Sequence, residues 1–168
     1  MKISMYTMSV ESFIHGLTQL SGLLDKAVAY AESKKFDPTV LANSRLAPDM
    51  LPLTRQVQIA TDVSKGAAAR LAGQEPPKFE DNEKTIPELK QRIAKTIDFL
   101  KSVPASAFEG AEDRDIRIPL RDHTLEMKGL KYLQLWAVPN FYFHVTTTYA
   151  ILRHNGVDIG KRDYLGPI

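Results

Sequence analysis

The chain has 168 residues, a length that suits a single domain with its own hydrophobic core. Its composition, 43% hydrophobic and 25% charged, is that of an ordinary globular protein. The net charge is only +2 and the basic residues are spread along the chain, so neither nucleic acid nor a membrane surface is predicted as a partner. The absence of cysteine excludes disulfides, thiolate catalysis and cysteine-ligated zinc.

The N-terminal segment does not have the pattern of a secretory signal. Residues 1–13, MKISMYTMSVESF, contain no continuous apolar stretch and no small-residue cleavage site. No apolar run in the sequence approaches the roughly 20 residues that a membrane-spanning helix needs. The sequence therefore predicts a cytoplasmic protein.

Hydrophobic periodicity predicts a long first helix. Apolar residues recur at steps of three and four from Val10 to Ala31, which is typical of an amphipathic helix packed on a core. Ser9 is predicted as the N-cap, because its hydroxyl can accept a hydrogen bond from a free amide group at the helix start. The helix is predicted to end near residues 33–38, SKKFDP, and residues 39–53 are predicted to form a proline-containing linker.

A second helix is predicted from about residue 51 to residue 71, with Gly73 as its stop signal. Its apolar stripe begins at Leu53, and Gln56 falls inside that stripe at 100° per residue. Four polar residues are predicted to lie nearly opposite the stripe: Arg55, Gln58, Asp62 and Lys65.

The third helix is marked by a capping box. Thr85 and Glu88, in the segment TIPE, have the spacing at which each side chain can bond the other residue's backbone amide. The helix is predicted to end before Pro104. A polar loop, residues 73–84, precedes it.

The remainder of the chain predicts a hairpin and a fourth helix. Within residues 103–126, the segments IRIPL and TLEM alternate apolar and polar side chains around RDH, which predicts a short β-hairpin or an extended excursion. Pro119 confines any strand there to a sheet edge. Helix four is predicted from about residue 130 to residue 155, with a kink at Pro139 and an irregular tail after it. Together these elements predict one all-α domain over residues 1–168, a four-helix bundle whose long crossover between helices three and four carries a short β-hairpin.

A polar stripe on helix four is the candidate functional site. Asn140, His144 and Thr147 share one face of a helix that is apolar nearly all round, so this stripe is predicted to be at least partly inside the protein. Buried polar groups need partners, and Gln56 of helix two is predicted to face inward. If helix two is rotated, Gln58, Asp62 and Arg55 are the alternatives. The pattern fits a closed hydrogen-bond network, a ligand-binding or metal-binding cleft, or an interface.

Two segments carry a family resemblance. Residues 43–73, NSRLAPDMLPLTRQVQIATDVSKGAAARLAG, and residues 139–166, PNFYFHVTTTYAILRHNGVDIGKRDYLG, resemble an uncharacterised domain-of-unknown-function branch of the DinB/YfiT-like superfamily. The resemblance covers nearly the whole chain. It implies a four-helix bundle, often dimeric, with a metal held by three histidines and, in some members, thiol-dependent transferase or isomerase activity.

The ligand positions that the resemblance implies are mostly not histidine in this chain. His144 matches the last ligand, Asn140 stands at the position four residues earlier, and Gln58 or Gln56 stands at the helix-two position. Carboxamide oxygen is a weak, neutral ligand for zinc or nickel. We therefore expect no bound cofactor, with His144 as the residual candidate for holding a divalent metal.

Three hypotheses about function follow. In the first, the protein is a small-molecule-binding or interaction module with a degenerate three-histidine site. In the second, it is a thiol-dependent transferase or isomerase in which His144 acts as a general base or residual metal ligand; the sequence leaves open whether it is an enzyme. In the third, aromatic residues of helix four are buried in a homodimer. The ligand-binding residues predicted by the first hypothesis are Gln56, Gln58, Asn140, His144 and Thr147.

Overall fold

Four long helices form the framework of the structure, a computed structural model that describes residues 3–119 and 121–167. The long helices are α1 (Ser12–Lys34), α3 (Leu53–Leu71), α4 (Ile86–Ser102) and α6 (Val138–His154). Shorter helices are α2 (Thr39–Asn43), α5 (Gly129–Tyr132) and α7 (Lys161–Leu165), and a 3-10 turn spans Ala105–Phe108. Two π-helical turns, Thr7–Glu11 and Leu133–Ala137, lead into α1 and α6. The predicted mostly helical bundle is confirmed.

Apolar side chains of the long helices fill the centre of the bundle. Helix α3 packs against α4 and α6, and α1 packs against the same two helices from the other side. The rings of Phe13 and Phe141 meet edge to face, with their centroids 4.9 Å apart. A Cβ atom at Gly16 would come within 2.7 Å of the Phe141 ring, so glycine at this position lets α1 and α6 approach closely.

The predicted hairpin lies in the crossover between α4 and α6. Strands β1 (Asp115–Pro119) and β2 (Thr124–Lys128) pair antiparallel, from Asp115 opposite Lys128 to Pro119 opposite Thr124. The crossover then continues directly into α5. The prediction of a short hairpin between the third and fourth long helices is confirmed.

The capping box at the start of α4 is also confirmed. The backbone N–H of Glu88 donates to Oγ1 of Thr85, and Oε2 of Glu88 accepts from the backbone N–H of Thr85 at 2.9 Å. Two otherwise free amide groups at the helix start are therefore satisfied by side chains.

The prediction that Ser9 is the first helix's N-cap is wrong. Ser9 is buried within the π-helical turn that leads into α1, and its hydroxyl donates back to the carbonyl of Met5 at 2.5 Å. Ser4 takes the capping role, because its Oγ accepts from the backbone N–H of Thr7 at 3.1 Å. The helical segment begins at Met5, one turn earlier than predicted, so Ser9 lies inside it and its hydroxyl bonds back to the preceding turn.

Two segments predicted to be irregular contain short helices: α2 in the linker and α7 in the C-terminal tail. Helix α7 is held on α1 by an ion pair, in which Nζ of Lys26 lies 2.7 Å from Oδ1 of Asp163, and by His15 Nε2, which lies 2.7 Å from the carbonyl oxygen of Leu165. Helices of this length have little stability alone. Their formation depends on docking, so periodicity gave no signal for them.

The fourth long helical segment runs from α5 through the second π-helical turn into α6. Pro139 lies in the first turn of α6, directly after this π-helical turn. The departure from regular helix geometry that was predicted as a kink at Pro139 is therefore a π-helical turn just before the proline. Across the described parts of the chain, no helix is both long enough and apolar enough to cross a bilayer.

Candidate functional site

A hydrogen bond between His144 and Gln56 forms the centre of the candidate site. Nδ1 of His144, on α6, lies 2.7 Å from Oε1 of Gln56, on α3. Both side chains are largely buried, with relative exposures of 8% and 2%. Nε2 of Gln56 in turn donates to the backbone carbonyl of Leu51 at 3.0 Å. The bond therefore joins the two helices that pack most extensively in the bundle.

The amide of Gln56 determines which imidazole nitrogen carries the hydrogen. Because the NH2 group of Gln56 donates to the Leu51 carbonyl, its Oε1 faces the ring and must accept, so Nδ1 of His144 is the donor. Nε2 is then the nitrogen with the lone pair. Burial lowers the pKa of His144 below its usual 6.5, which favours this neutral form at neutral pH.

The free nitrogen of His144 keeps contact with solvent. No buried side-chain nitrogen or oxygen is left without a hydrogen-bond partner in residues 3–119 and 121–167, and Nε2 makes no hydrogen bond with any of these residues. Nε2 is therefore not fully enclosed, and the 8% exposure of His144 leaves it a small accessible surface. The ring of Phe143 stands edge to face with the imidazole, 5.2 Å between centroids, and is 57% exposed.

Asn140 and Thr147 flank His144 on α6. Thr147 is buried, and its hydroxyl donates to the carbonyl of Phe143 at 2.7 Å, so its polar atom is engaged within the helix. Asn140 is half-buried, and its side chain makes no hydrogen bond with the residues that the structure describes. Asn140 is therefore the neighbour of His144 on this face whose amide remains available for a ligand.

Gln58 lies away from His144. Its Oε1 accepts from Arg55 Nη1 at 2.7 Å, and its Nε2 donates to Glu83 Oε2 at 2.8 Å. The prediction from helix phase that Gln56 faces inward agrees with the observed contact. Gln58 is nevertheless buried, at 2% exposure, because the loop after α3 covers that side of the helix.

An ionic cluster that the sequence patterns did not reveal lies beneath this loop. The guanidinium of Arg92, on α4, lies within 2.7 to 3.1 Å of carboxylate oxygens of Asp62, Asp81 and Glu83. Its Nη1 also donates to the carbonyl of Glu80 at 2.8 Å. In the sequence, Arg92 is one of many polar residues of α4. Only the acidic composition of residues 73–84 indicates that this loop has a basic partner.

Lys65 belongs to the same cluster and is buried too. Its ammonium pairs with Asp62 and lies 4.6 Å from the centre of the Phe79 ring, while Nζ of Lys95 lies 4.1 Å from the same ring. Cations above an aromatic face are attracted by its quadrupole. The polar side of α3 is thus enclosed by the loop, so Gln58 and Lys65 are buried although they lie on the side opposite the apolar stripe.

The side chains around His144 do not form a three-ligand metal site. Nδ1 is engaged by Gln56, and the two ring nitrogens point away from each other, so the Gln56 amide is out of reach of an ion on Nε2. No group of three His, Cys, Asp or Glu residues suited to a metal occurs in the part of the chain that the structure describes. One imidazole nitrogen and a nearby carboxamide are a weak donor set for zinc or nickel.

Comparison with known proteins agrees with this fold. The model of a domain of unknown function (DUF1993) matches residues 5–165. The crystal structure of a DinB family member protein from Shewanella denitrificans superposes with a TM-score of 0.91 at 46% sequence identity, covering 97% of this chain and 92% of that one. No curated protein matches the sequence. The chain therefore belongs to the DUF1993 family and is a DinB-like protein.

Proposed function

We propose that the protein is a small-molecule-binding module whose ligand donates a hydrogen bond to Nε2 of His144. The observation that carries this proposal is the 2.7 Å bond from His144 to Gln56, which makes Nδ1 the donor and leaves the lone pair on Nε2 in the neutral imidazole that burial favours. Asn140 offers a second polar contact, and the exposed ring of Phe143 offers an apolar surface beside it. A small aromatic or aliphatic molecule that carries an N–H or O–H donor fits this arrangement.

The experiment is a ligand screen with a residue-specific readout. Protein labelled with ¹⁵N at histidine is titrated with donor-bearing aromatic fragments and low-molecular-weight thiols, and the Nε2 resonance of His144 is followed. His144→Gln should abolish binding, whereas His123→Gln, at an exposed position of the hairpin, should leave it intact. Saturating screens in which no compound moves this resonance or the melting temperature would refute the proposal.

We also propose that this member of the family holds no divalent metal at the site. The support is the donor set, in which one imidazole replaces the three that the superfamily resemblance implies. Elemental analysis of untagged protein, before and after incubation with zinc, nickel and manganese, tests it. A stoichiometric metal that is lost in His144→Gln would overturn this part and favour metalloenzyme chemistry.

A second function is a thiol-dependent transferase or isomerase in which His144 is the general base. It is supported by the same lone pair on Nε2, which can take a proton from a bound thiol near neutral pH. Turnover of glutathione-class thiols with apolar electrophiles is the assay. An activity that His144→Ala leaves unchanged would exclude this role.

A homodimer is the proposed assembly. Phe143 and Leu135, on α6 and the turn before it, are 57% and 64% exposed, so a dimer contact there would bury apolar surface. A second copy packed there would cover them beside the candidate site. Light scattering should give a dimer for the unmodified protein and a monomer for Phe143→Gln; a monomer for both would exclude the assembly.

A further inference from the structure

An open cleft lies between the N-terminal segment and the crossover, apart from the His144 site. Its volume is about 1070 Å³, near the upper end of the size range of small-molecule sites. Tyr6 and Phe108 meet edge to face in its wall, with centroids 5.4 Å apart. Neither His144 nor Gln56 lines it. The cleft is therefore a second candidate site with different chemistry.

Both π-helical turns contribute to the wall of this cleft. Met8 comes from the turn Thr7–Glu11, and Leu133 with Gln134 comes from the turn Leu133–Ala137. A π-helical turn carries an extra residue at a cost in helix geometry, and such turns occur frequently at functional sites. That both turns contribute residues to one cleft is a further observation in favour of a binding role.

The lining of the cleft is apolar with an acidic margin. Exposed apolar side chains include Met8 and Leu130, with relative exposures of 48% and 45%. Glu109 and Glu112 supply two exposed carboxylates, and no lysine, arginine or histidine belongs to the lining within residues 3–119 and 121–167. An occupant that complements these features has an apolar chain and a positively charged end.

We propose that this cleft binds a small amphipathic amine, with its apolar chain between the two π-helical turns and its ammonium group beside Glu109 and Glu112. The site does not depend on His144. Apolar area in the walls supplies the affinity, because transfer of an alkyl chain out of water is favourable in proportion to the area buried. The carboxylates supply the preference for a cation over an anion or a neutral group.

The test compares three probes that share one chain: decylammonium, decanol and decanoate. Each is titrated by calorimetry, the two ions below their micelle concentrations and decanol below its solubility limit. Decylammonium should bind about fivefold more tightly than decanol, the factor expected of one solvent-screened ion pair. Decanoate should bind more weakly than decanol. Saturable binding with no such order, or no saturable binding at all, would overturn the proposal.

Matched variants locate the two ends of the ligand. Leu130→Gln should weaken all three probes about tenfold, while Leu46→Gln, at a leucine of similar exposure (38% against 45%) outside the lining, should change none of them. The double variant Glu109→Gln/Glu112→Gln should remove the preference for decylammonium and leave decanol binding unchanged. Asp113→Asn, at an adjacent exposed position outside the lining, is its control.

Two results with these variants would contradict the assignment. If Leu130→Gln binds every probe as the unmodified protein does, the probes bind elsewhere. If Leu130→Gln converts a dimer to a monomer in light scattering and no probe binds the monomer, the cleft is covered by a second copy of the chain instead. Circular dichroism of each variant establishes that the bundle is folded, which is expected because every substituted side chain is substantially exposed.

Discussion

Nε of Arg92 donates to Oγ1 of Thr61 at 2.7 Å, and the arginine side chain is 1% exposed. The two residues lie on neighbouring helices, α4 and α3, in the floor beneath the loop that joins them. The remaining guanidinium nitrogens reach carboxylates of that loop and of α3. One buried arginine therefore fixes both the spacing of the two helices and the path of the irregular segment between them.

Replacing Arg92 with methionine should lower the free energy of unfolding by about 3 kcal/mol. The substitution keeps much of the side-chain volume but leaves the carboxylate of Glu83, only 12% exposed, without its cation. Asp62 and Asp81 are more exposed and can be rehydrated. The expected loss is therefore near the lower end of the range found when one partner of a buried ion pair is removed. Urea unfolding at pH 7 measures it.

The control for this prediction is an exposed ion pair between α4 and α1. Lys90 pairs with Asp25 at the surface, and Asp25→Asn should cost less than about 1 kcal/mol. Equal losses for Arg92→Met and Asp25→Asn would show that burial of the arginine does not strengthen its contacts.

Gln56→Glu should raise the pKa of His144 by about one to three pH units. The substitution places a carboxylate on Nδ1 in place of a neutral amide, and an adjacent negative charge favours the imidazolium form. Histidine NMR titration measures the change. Gln58→Glu is a matched control, since it adds the same charge at an equally buried position that does not contact His144. A comparable rise in both variants would contradict the specific contact.

The stability of the protein should fall in acid partly through His144. Its pKa is lowered in the folded state, so the unfolded chain takes up the proton first as the pH falls below 6.5. Above pH 6.5, His144 is neutral in both the folded and the unfolded protein, so it does not contribute to the pH dependence of stability. Each pH unit by which folding lowers the pKa of His144 adds about 1.4 kcal/mol to the stability that is lost in acid.

The contribution of His144 to the loss of stability in acid is separated from that of the carboxylates by comparing the unmodified protein with His144→Gln. Between pH 7.5 and pH 5, the free energy of unfolding should fall further for the unmodified protein than for His144→Gln. Asp81 and Asp163, whose pKa values are held low by hydrogen bonds and ion pairs despite an opposing effect of burial, also lose stabilising contacts in acid, equally in both proteins. Identical pH profiles would contradict the lowered pKa.

Alanine at Gly129 and at Gly22 should have opposite effects. A Cβ atom at Gly129 would overlap the backbone carbonyl of Ala111, which cannot move without displacing the crossover, so Gly129→Ala should cost about 3 kcal/mol. Gly22 is an exposed interior position of α1 with open space around its Cα. Gly22→Ala should therefore stabilise by about 0.5 to 1 kcal/mol. Thermal unfolding distinguishes the two, and a stable Gly129→Ala variant would refute the close approach.

The main helices were predictable because each carries its own pattern. The periodicity of α1 and α3 and the capping box at Thr85 are local signals that agree with the fold. The inward direction of Gln56 also followed from helix phase alone. The short helix α7 was not predictable, since its formation depends on docking against Lys26 and His15 rather than on its own five residues.

The candidate site was predictable only in part. His144 on a buried face followed from the pattern of α6, but which of its nitrogens is free depends on the bond from Gln56 to the Leu51 carbonyl, which no spacing encodes. The burial of Lys65 depends on the path of a loop with no periodicity. Contacts made by irregular segments are set by tertiary packing, and this is the information that a single sequence lacks.

Nδ1 of His144 is engaged by Gln56 across the α3–α6 contact, whereas Nε2 has no hydrogen-bond partner among the described residues and His144 keeps 8% of its surface exposed. A molecule that reaches Nε2 from solvent does not need these helices to separate. Binding and release of a ligand at this position therefore require only side-chain motion, on a timescale of nanoseconds or less. They do not require the opening of a packed helix pair, which takes microseconds to seconds. The residence time of a ligand there would be set by its own contacts, independently of how stable the bundle is.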